Sequence, residues 1–109
     1  MRNAKGVKQF CRSLAGLQSS IATFAEGIDE FLLSHGYPED YKQIEAIRDG
    51  LEDLGLYEDV LGAVKQSEAL VREGKCREAE QLVLEINRKL SKVSGAEDDL
   101  RKLYKASNE

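Results

Sequence analysis

A chain of 109 residues, 41% of them hydrophobic, can fill one core but not two, so residues 1–109 are read as a single domain. A formal net charge of −4 and a pI near 5.1 argue against general affinity for nucleic acid, which needs clustered Lys and Arg. One proline and no tryptophan, set among many Leu, Ala, Glu and Lys residues, favour helix over sheet, and no stretch approaches the roughly 18 apolar residues of a membrane span.

From Val7 the apolar residues recur by threes and fours through Phe10, Leu14, Leu17, Ile21, Phe24, Ile28 and Phe31. This period predicts one long helix from about Ala4 to Ser34, roughly 45 Å at 1.5 Å per residue. Cys11, Ala25 and Leu32 widen the stripe to the breadth of a bundle core. Ser34-His35-Gly36-Tyr37-Pro38 is expected to end it, with His35 in its last turn and Gly36 as a left-handed cap. Pro38 then falls in the first turn of the next helix.

Glu39 and Asp40 place negative charge at the positive end of that second helix. Its apolar positions are Tyr41, Ile44, Ile47, Leu51 and Leu54, and Gly55 stops it. A third helix is predicted from Tyr57 to Glu73, carrying Val60, Leu61, Val64, Leu70 and Val71 and punctuated by Gly74. The fourth begins near Cys76 or Arg77 and carries Ala79, Leu82, Val83, Ile86, Leu90 and Val93, then Leu100, Leu103 and Tyr104. Ser94 with Glu97 reads as a capping box, so a break or kink is expected at Ser94-Gly95. Short connections make neighbours antiparallel. The expected fold is all-α: an antiparallel up-down four-helix bundle with long first and last helices and a shorter central hairpin.

The stretch from Ala69 to Ala79 is similar to the turn between the two helices of a tetratricopeptide repeat, with Gly74 in the corner and Ala79 at the small packing position. Gly62 and Ser67 depart from that pattern and no second copy follows, so the stretch is read as a generic helical hairpin.

Chemistry has little to stand on. The two cysteines, Cys11 and Cys76, are far apart and adjoin apolar helix positions, where a thiol serves as a small hydrophobe. The single histidine, His35, has Leu32 rather than Glu three places earlier, so the di-iron pattern of helical bundles is missing. Neither a G-x-G spacing nor a G-K-[ST] sequence occurs, which removes the usual phosphate-cradling loops. No cofactor and no metal are expected. Two rival readings are a small enzyme using carboxylates with a divalent ion, or Cys11 or Cys76 with His35, and a nucleic-acid-associated regulator.

Charge is the informative feature. Residues 1–25 hold Arg2, Lys5, Lys8 and Arg12 and no acid, whereas residues 26–59 hold eleven acids against Lys42 and Arg48. Glu45, Asp49, Glu52, Asp53, Glu58 and Asp59 form a candidate acidic patch that would steer a basic protein partner. The competing explanation is intramolecular, with those acids packed beside Arg88, Lys89, Lys92, Arg101 and Lys102. Apolar surface on the long first helix, at Phe24, Ile28, Phe31 and Leu32 or at the end near Val7 and Phe10, is a second candidate interface. It implies a homodimer or a heteromer. The sequence therefore points to a non-enzymatic, cytoplasmic interaction module (a small chaperone, adaptor or regulator) without nucleic-acid or membrane partners.

Overall fold

The computed structural model describes residues 1–23 and 30–96, and every regular element among them is helical. Helix α1 spans Ala4–Thr23, and a π-helical turn at Leu32–Gly36 leads into α2 at Tyr37–Ala46. Helix α3 spans Arg48–Asp53, α4 Tyr57–Arg72 and α5 Cys76–Ser94. No described helix is long and apolar enough to cross a membrane.

The apolar period of α1 becomes its buried face: Val7, Phe10, Cys11, Leu14, Leu17 and Ile21 are all enclosed. Helix α5 answers with Cys76, Ala79, Val83, Ile86 and Leu90, and α4 with Tyr57, Val60, Val64 and Val71. The largest interface joins α1 to α5 and the next joins α4 to α5. Residue pairs between helices run in opposite directions: Cys11 meets Ser94 and Gln18 meets Glu80 between α1 and α5, while Tyr37 meets Ser67 and Glu45 meets Tyr57 between α2 and α4. Each of these two pairs of helices is antiparallel. Val7 and Phe10 are 0% and 1% exposed, so that end of α1 is covered within the chain, contrary to the expectation that it needs a second one.

Two glycines close helices in the same way. Gly55 at φ +69° follows α3, where its N–H bonds Glu52 O and the Leu56 N–H bonds Leu51 O. Gly74 at φ +78° follows α4, with Gly74 N–H on Val71 O and Lys75 N–H on Leu70 O. Both are Schellman caps, which need a residue that tolerates a left-handed backbone. The expected break at Ser94-Gly95 is present, with Gly95 left-handed and the Ser94 hydroxyl accepting from the Ala96 N–H. Glu97, Leu100, Leu103 and Tyr104 lie outside the described residues, as do Phe24, Ala25 and Ile28.

Two expectations are corrected. Ser34-His35-Gly36-Tyr37-Pro38 is not a turn between helices: Gly36 is right-handed at φ −65°, and the Tyr37 N–H reaches Leu32 O, five residues back. Pro38 has no N–H to give and its ring crowds the carbonyl one turn back. Widening the preceding turn to π geometry relieves that conflict without ending the helix. The second correction is the number of α-helices, five rather than four among the described residues. The acidic rod breaks at Ile47 (φ −110°, ψ 16°), separating α2 from α3. Two close approaches position the break: a Cβ on Gly6 would stand 2.9 Å from the Ile47 side chain, and one on Gly50 would run into the Arg2 carbonyl. The bend lets α3 close over the N-terminal end of α1.

Candidate functional site

The six candidate acids lie along the end of α2, through α3 and on the first turn of α4. Glu45 Oε1 accepts a 2.5 Å hydrogen bond from the Tyr57 hydroxyl, and its other oxygen is 3.8 Å from Arg48. The Arg48 guanidinium lies 4.4 Å over the Tyr57 ring and donates from Nε to Glu52 at 2.7 Å. One arginine thus binds two carboxylates and an aromatic face, the planar geometry that lysine could not match.

Asp49 accepts from the Asn3 side-chain amide and from the Gly50 N–H at 2.9 Å. Asp53 receives the Arg2 backbone N–H at 2.7 Å and the Arg2 guanidinium at 3.0 Å. Those bonds hold the Asp53 carboxyl at about 2, below the usual carboxylate range. Asp59 pairs with Lys89 of α5 at 3.3 Å. Glu58 is exposed and has no partner of this kind among the described residues. Of the basic residues expected opposite this patch, Lys89 makes the connection, while Arg101 and Lys102 lie outside the described residues. Among the described residues most of the compensation comes from Arg2 and from Arg48 within the acidic rod itself.

Of the candidate apolar residues, Phe31 is 71% exposed and Leu32 is a core residue at 6%. Phe31 stacks on His35 with ring centroids 4.7 Å apart, and the His35 Nδ1 is hydrogen-bonded to the Ser34 hydroxyl at 2.8 Å. Along the same rod Phe31, His35, Glu39, Lys42 and Glu45 all reach the surface. Cys11 and Cys76 are buried, at 5% and 4%, whereas His35 faces out. Among the described residues no three His, Cys, Asp or Glu side chains are grouped to hold a metal ion.

Sequence reading missed a polar layer between α2 and α4. The Tyr37 hydroxyl is buried against the Ser67 hydroxyl at 2.9 Å, and Ser67 also donates to the Val64 carbonyl. Burial pushes the Tyr37 phenol up to about 12. Tyr41 donates to Glu68 at 2.7 Å, and Glu68 in turn binds Arg72 at 3.0 Å. Asp40, expected as negative charge at the start of the second helix, is only 8% exposed. Burial, with a smaller contribution from Glu39, raises its carboxyl to about 7.

A second unanticipated feature is a cleft of about 480 Å³ between α1 and α5, with Lys5, Lys8 and Arg12 on one wall and Asn87 and Ser91 on the other. The signal was present in the sequence as three cations at positions i, i+3 and i+7. Only the packing of α5 against α1 turns them into the wall of a concavity.

No protein-family model matches this chain, and no curated protein and no solved structure matches it either.

Proposed function

We propose that this chain is a non-enzymatic interaction module that docks a basic protein partner on the face formed by α2, α3 and the first turn of α4. In this reading α2 and α3 act as one bent rod of an antiparallel four-rod bundle, and Phe31 supplies an apolar anchor at the start of that rod. The observation that carries it is a surplus of acid that the described residues do not neutralise. Seven carboxylates at or near the surface, Glu39, Glu45, Asp49, Glu52, Asp53, Glu58 and Asp59, face four cations, Arg2, Lys42, Arg48 and Lys89. The ion pairs are solvent-exposed and screened by water and salt, so a partner's cations can exchange with them at small cost. Such a field acts chiefly on association rate and partner choice.

The partner is a different protein. A two-fold homodimer through this face would set acids against acids, and like charges across an interface oppose assembly. The exposed Phe31 ring, stacked on His35, fits the aromatic anchor that commonly dominates an interface surrounded by polar contacts.

The test is cross-linking of the full chain in native extract, comparing wild type with Glu45→Lys/Glu52→Lys/Glu58→Lys and with Phe31→Ala. Cross-links from α2, α3 and α4 to one basic protein, lost in the charge-reversed chain and weakened by Phe31→Ala, are expected. A partner retained equally by all three chains contradicts the proposal.

A further inference from the structure

We infer that Asp49 and Asp53 on α3 form an arginine seat within the acidic face, kept occupied by the chain's own Arg2-Asn3 segment until an arginine of a partner replaces it. The seat rests on the docking face proposed above, and it decides which cation that face prefers and when it is open.

The Arg2 guanidinium already binds there as a ligand would. Its Nε lies 3.1 and 3.3 Å from the two Asp53 carboxylate oxygens, and its Nη2 lies 3.0 Å from one of them and 3.5 Å from the Asp49 carbonyl. The Arg2 backbone N–H donates to the same carboxylate at 2.7 Å, and the Asn3 side-chain amide donates to Asp49. Asp49 and Asp53 stand one turn apart on α3, so two consecutive residues of an incoming strand reach both. The Gly50 N–H holds the Asp49 carboxylate at 2.9 Å. Gly50 also makes the room: the Arg2 carbonyl lies where a Cβ on that residue would stand. Asn3, at φ +54°, is the one described residue other than glycine with a left-handed backbone, a conformation that asparagine tolerates better than most residues.

The occupant is exchangeable. The Arg2 side chain is 62% exposed and that of Asp53 30%, so solvent and solutes reach the pair. Met1, Arg2 and Asn3 are all exposed, and their departure takes no side chain out of the core. A ligand on a short tether competes at an effective concentration on the order of millimolar, which excludes free arginine and scattered cations. A partner that also engages Glu45, Glu52 or Phe31 adds contacts that Arg2 and Asn3 do not make, and so displaces them. Two guanidinium nitrogens share one carboxylate in this seat, a geometry that a lysine ammonium, as a point charge, does not reproduce.

The test is fluorescence anisotropy of labelled hexa-arginine and hexa-lysine peptides with the full chain at about 0.15 M salt. Wild type is compared with Arg2→Ala, Arg2→Ala/Asp53→Asn and Glu45→Lys/Glu52→Lys/Glu58→Lys, and circular dichroism establishes that each chain is folded. Arg2→Ala should bind hexa-arginine at least about five-fold tighter than wild type and gain less for hexa-lysine, and Asp53→Asn in the same chain should cancel the gain. Removing any cation favours a basic peptide, so the preference for arginine and its dependence on Asp53 are what mark the seat. Nuclear magnetic resonance reads the exchange in wild type, without a variant at Arg2 that could loosen α3. Saturating hexa-arginine should move the Arg2 Nε–H signal to the position it holds in Asp53→Asn. An Arg2 signal unmoved by saturating peptide, or equal gains for both peptides in Arg2→Ala, makes the pair a fixed clasp and overturns the seat while the docking face stands. Peptide binding that ignores Glu45→Lys/Glu52→Lys/Glu58→Lys overturns the docking face and the seat with it, and absence of saturable binding to any chain overturns the seat.

Discussion

Replacing Gly50 with alanine separates local helix preference from the close approach that fixes α3. In a helix interior, alanine is more stable than glycine by about 0.5–1 kcal/mol, because glycine loses more backbone freedom on folding. At Gly50 that gain meets an obstacle. The new Cβ would run into the carbonyl oxygen of Arg2 and stand 2.8 Å from Val7 Cγ2. The first of these is backbone and cannot rotate aside, and Val7 is fully buried. Helix α3 must therefore move off α1, straining the bonds from Arg2 to Asp53 and from Asn3 to Asp49. Overpacking of this kind costs about 1–3 kcal/mol, leaving a net loss of up to about 2.5 kcal/mol once the propensity gain is subtracted. At roughly 4–8 °C per kcal/mol for a domain of this size, the melting temperature falls measurably. Gly62 is the control. It sits within α4 with nothing inside 4 Å of the place a methyl group would take, so Gly62→Ala should raise stability by about 0.5–1 kcal/mol. Urea unfolding of both variants reads opposite signs for the same chemical change. Stabilisation by Gly50→Ala comparable to that of Gly62→Ala would refute the packing of α3 on α1.

Three further outcomes follow from the same contacts. Asp40, raised to about 7 by burial, keeps a proton in the folded chain that the unfolded chain has released, so stability falls as pH rises from about 4 to about 7. Asp40→Asn should flatten that slope and exceed wild type most at about pH 8, above the folded-state value; parallel stability curves for the two chains would contradict it. Asp53, held at about 2 by Arg2, has the opposite sign, with stability present above the ordinary carboxylate range and lost as pH falls toward 2. Acid titration followed by circular dichroism should show that loss beginning in wild type and absent from Arg2→Ala. Ser67→Ala leaves the Tyr37 hydroxyl buried without its partner and should cost about 1–3 kcal/mol, whereas Ser67→Ala combined with Tyr37→Phe should recover part of it. A double variant destabilised by the full sum of its singles would show that these hydroxyls are not coupled as described.

Much of this fold was legible because punctuation and period agree. Gly55 and Gly74 end helices where the apolar pattern stops, and the stripe from Val7 to Ile21 is buried throughout. The stretch around Gly36 was not, because glycine and proline permit a turn without requiring one. Here the glycine is right-handed and the proline is accommodated by a π turn, which no local residue pattern announces. The break at Ile47 is equally silent. Ile47 keeps its place in the apolar register, and the bend follows from tertiary approaches to Gly6 and Gly50.

The acidic patch was visible as composition, but its pairing was not. Asp53 takes its partner from Arg2, 51 residues away, and Asp59 from Lys89, 30 residues away. Asp40 looked like its neighbour Glu39, and only packing separates a buried carboxyl from an exposed one. The cleft between α1 and α5 likewise exists only once two distant helices meet.

The most direct measurement is hydrogen exchange on the full chain with and without the cross-linked basic partner, combined with association rates for wild type and Glu45→Lys/Glu52→Lys/Glu58→Lys. Docking on the acidic face predicts new protection confined to α2, α3 and the first turn of α4. It also predicts an association rate that falls at least ten-fold on charge reversal and with rising salt. Protection along α1 and α5 instead, with a rate indifferent to those three substitutions, would contradict it.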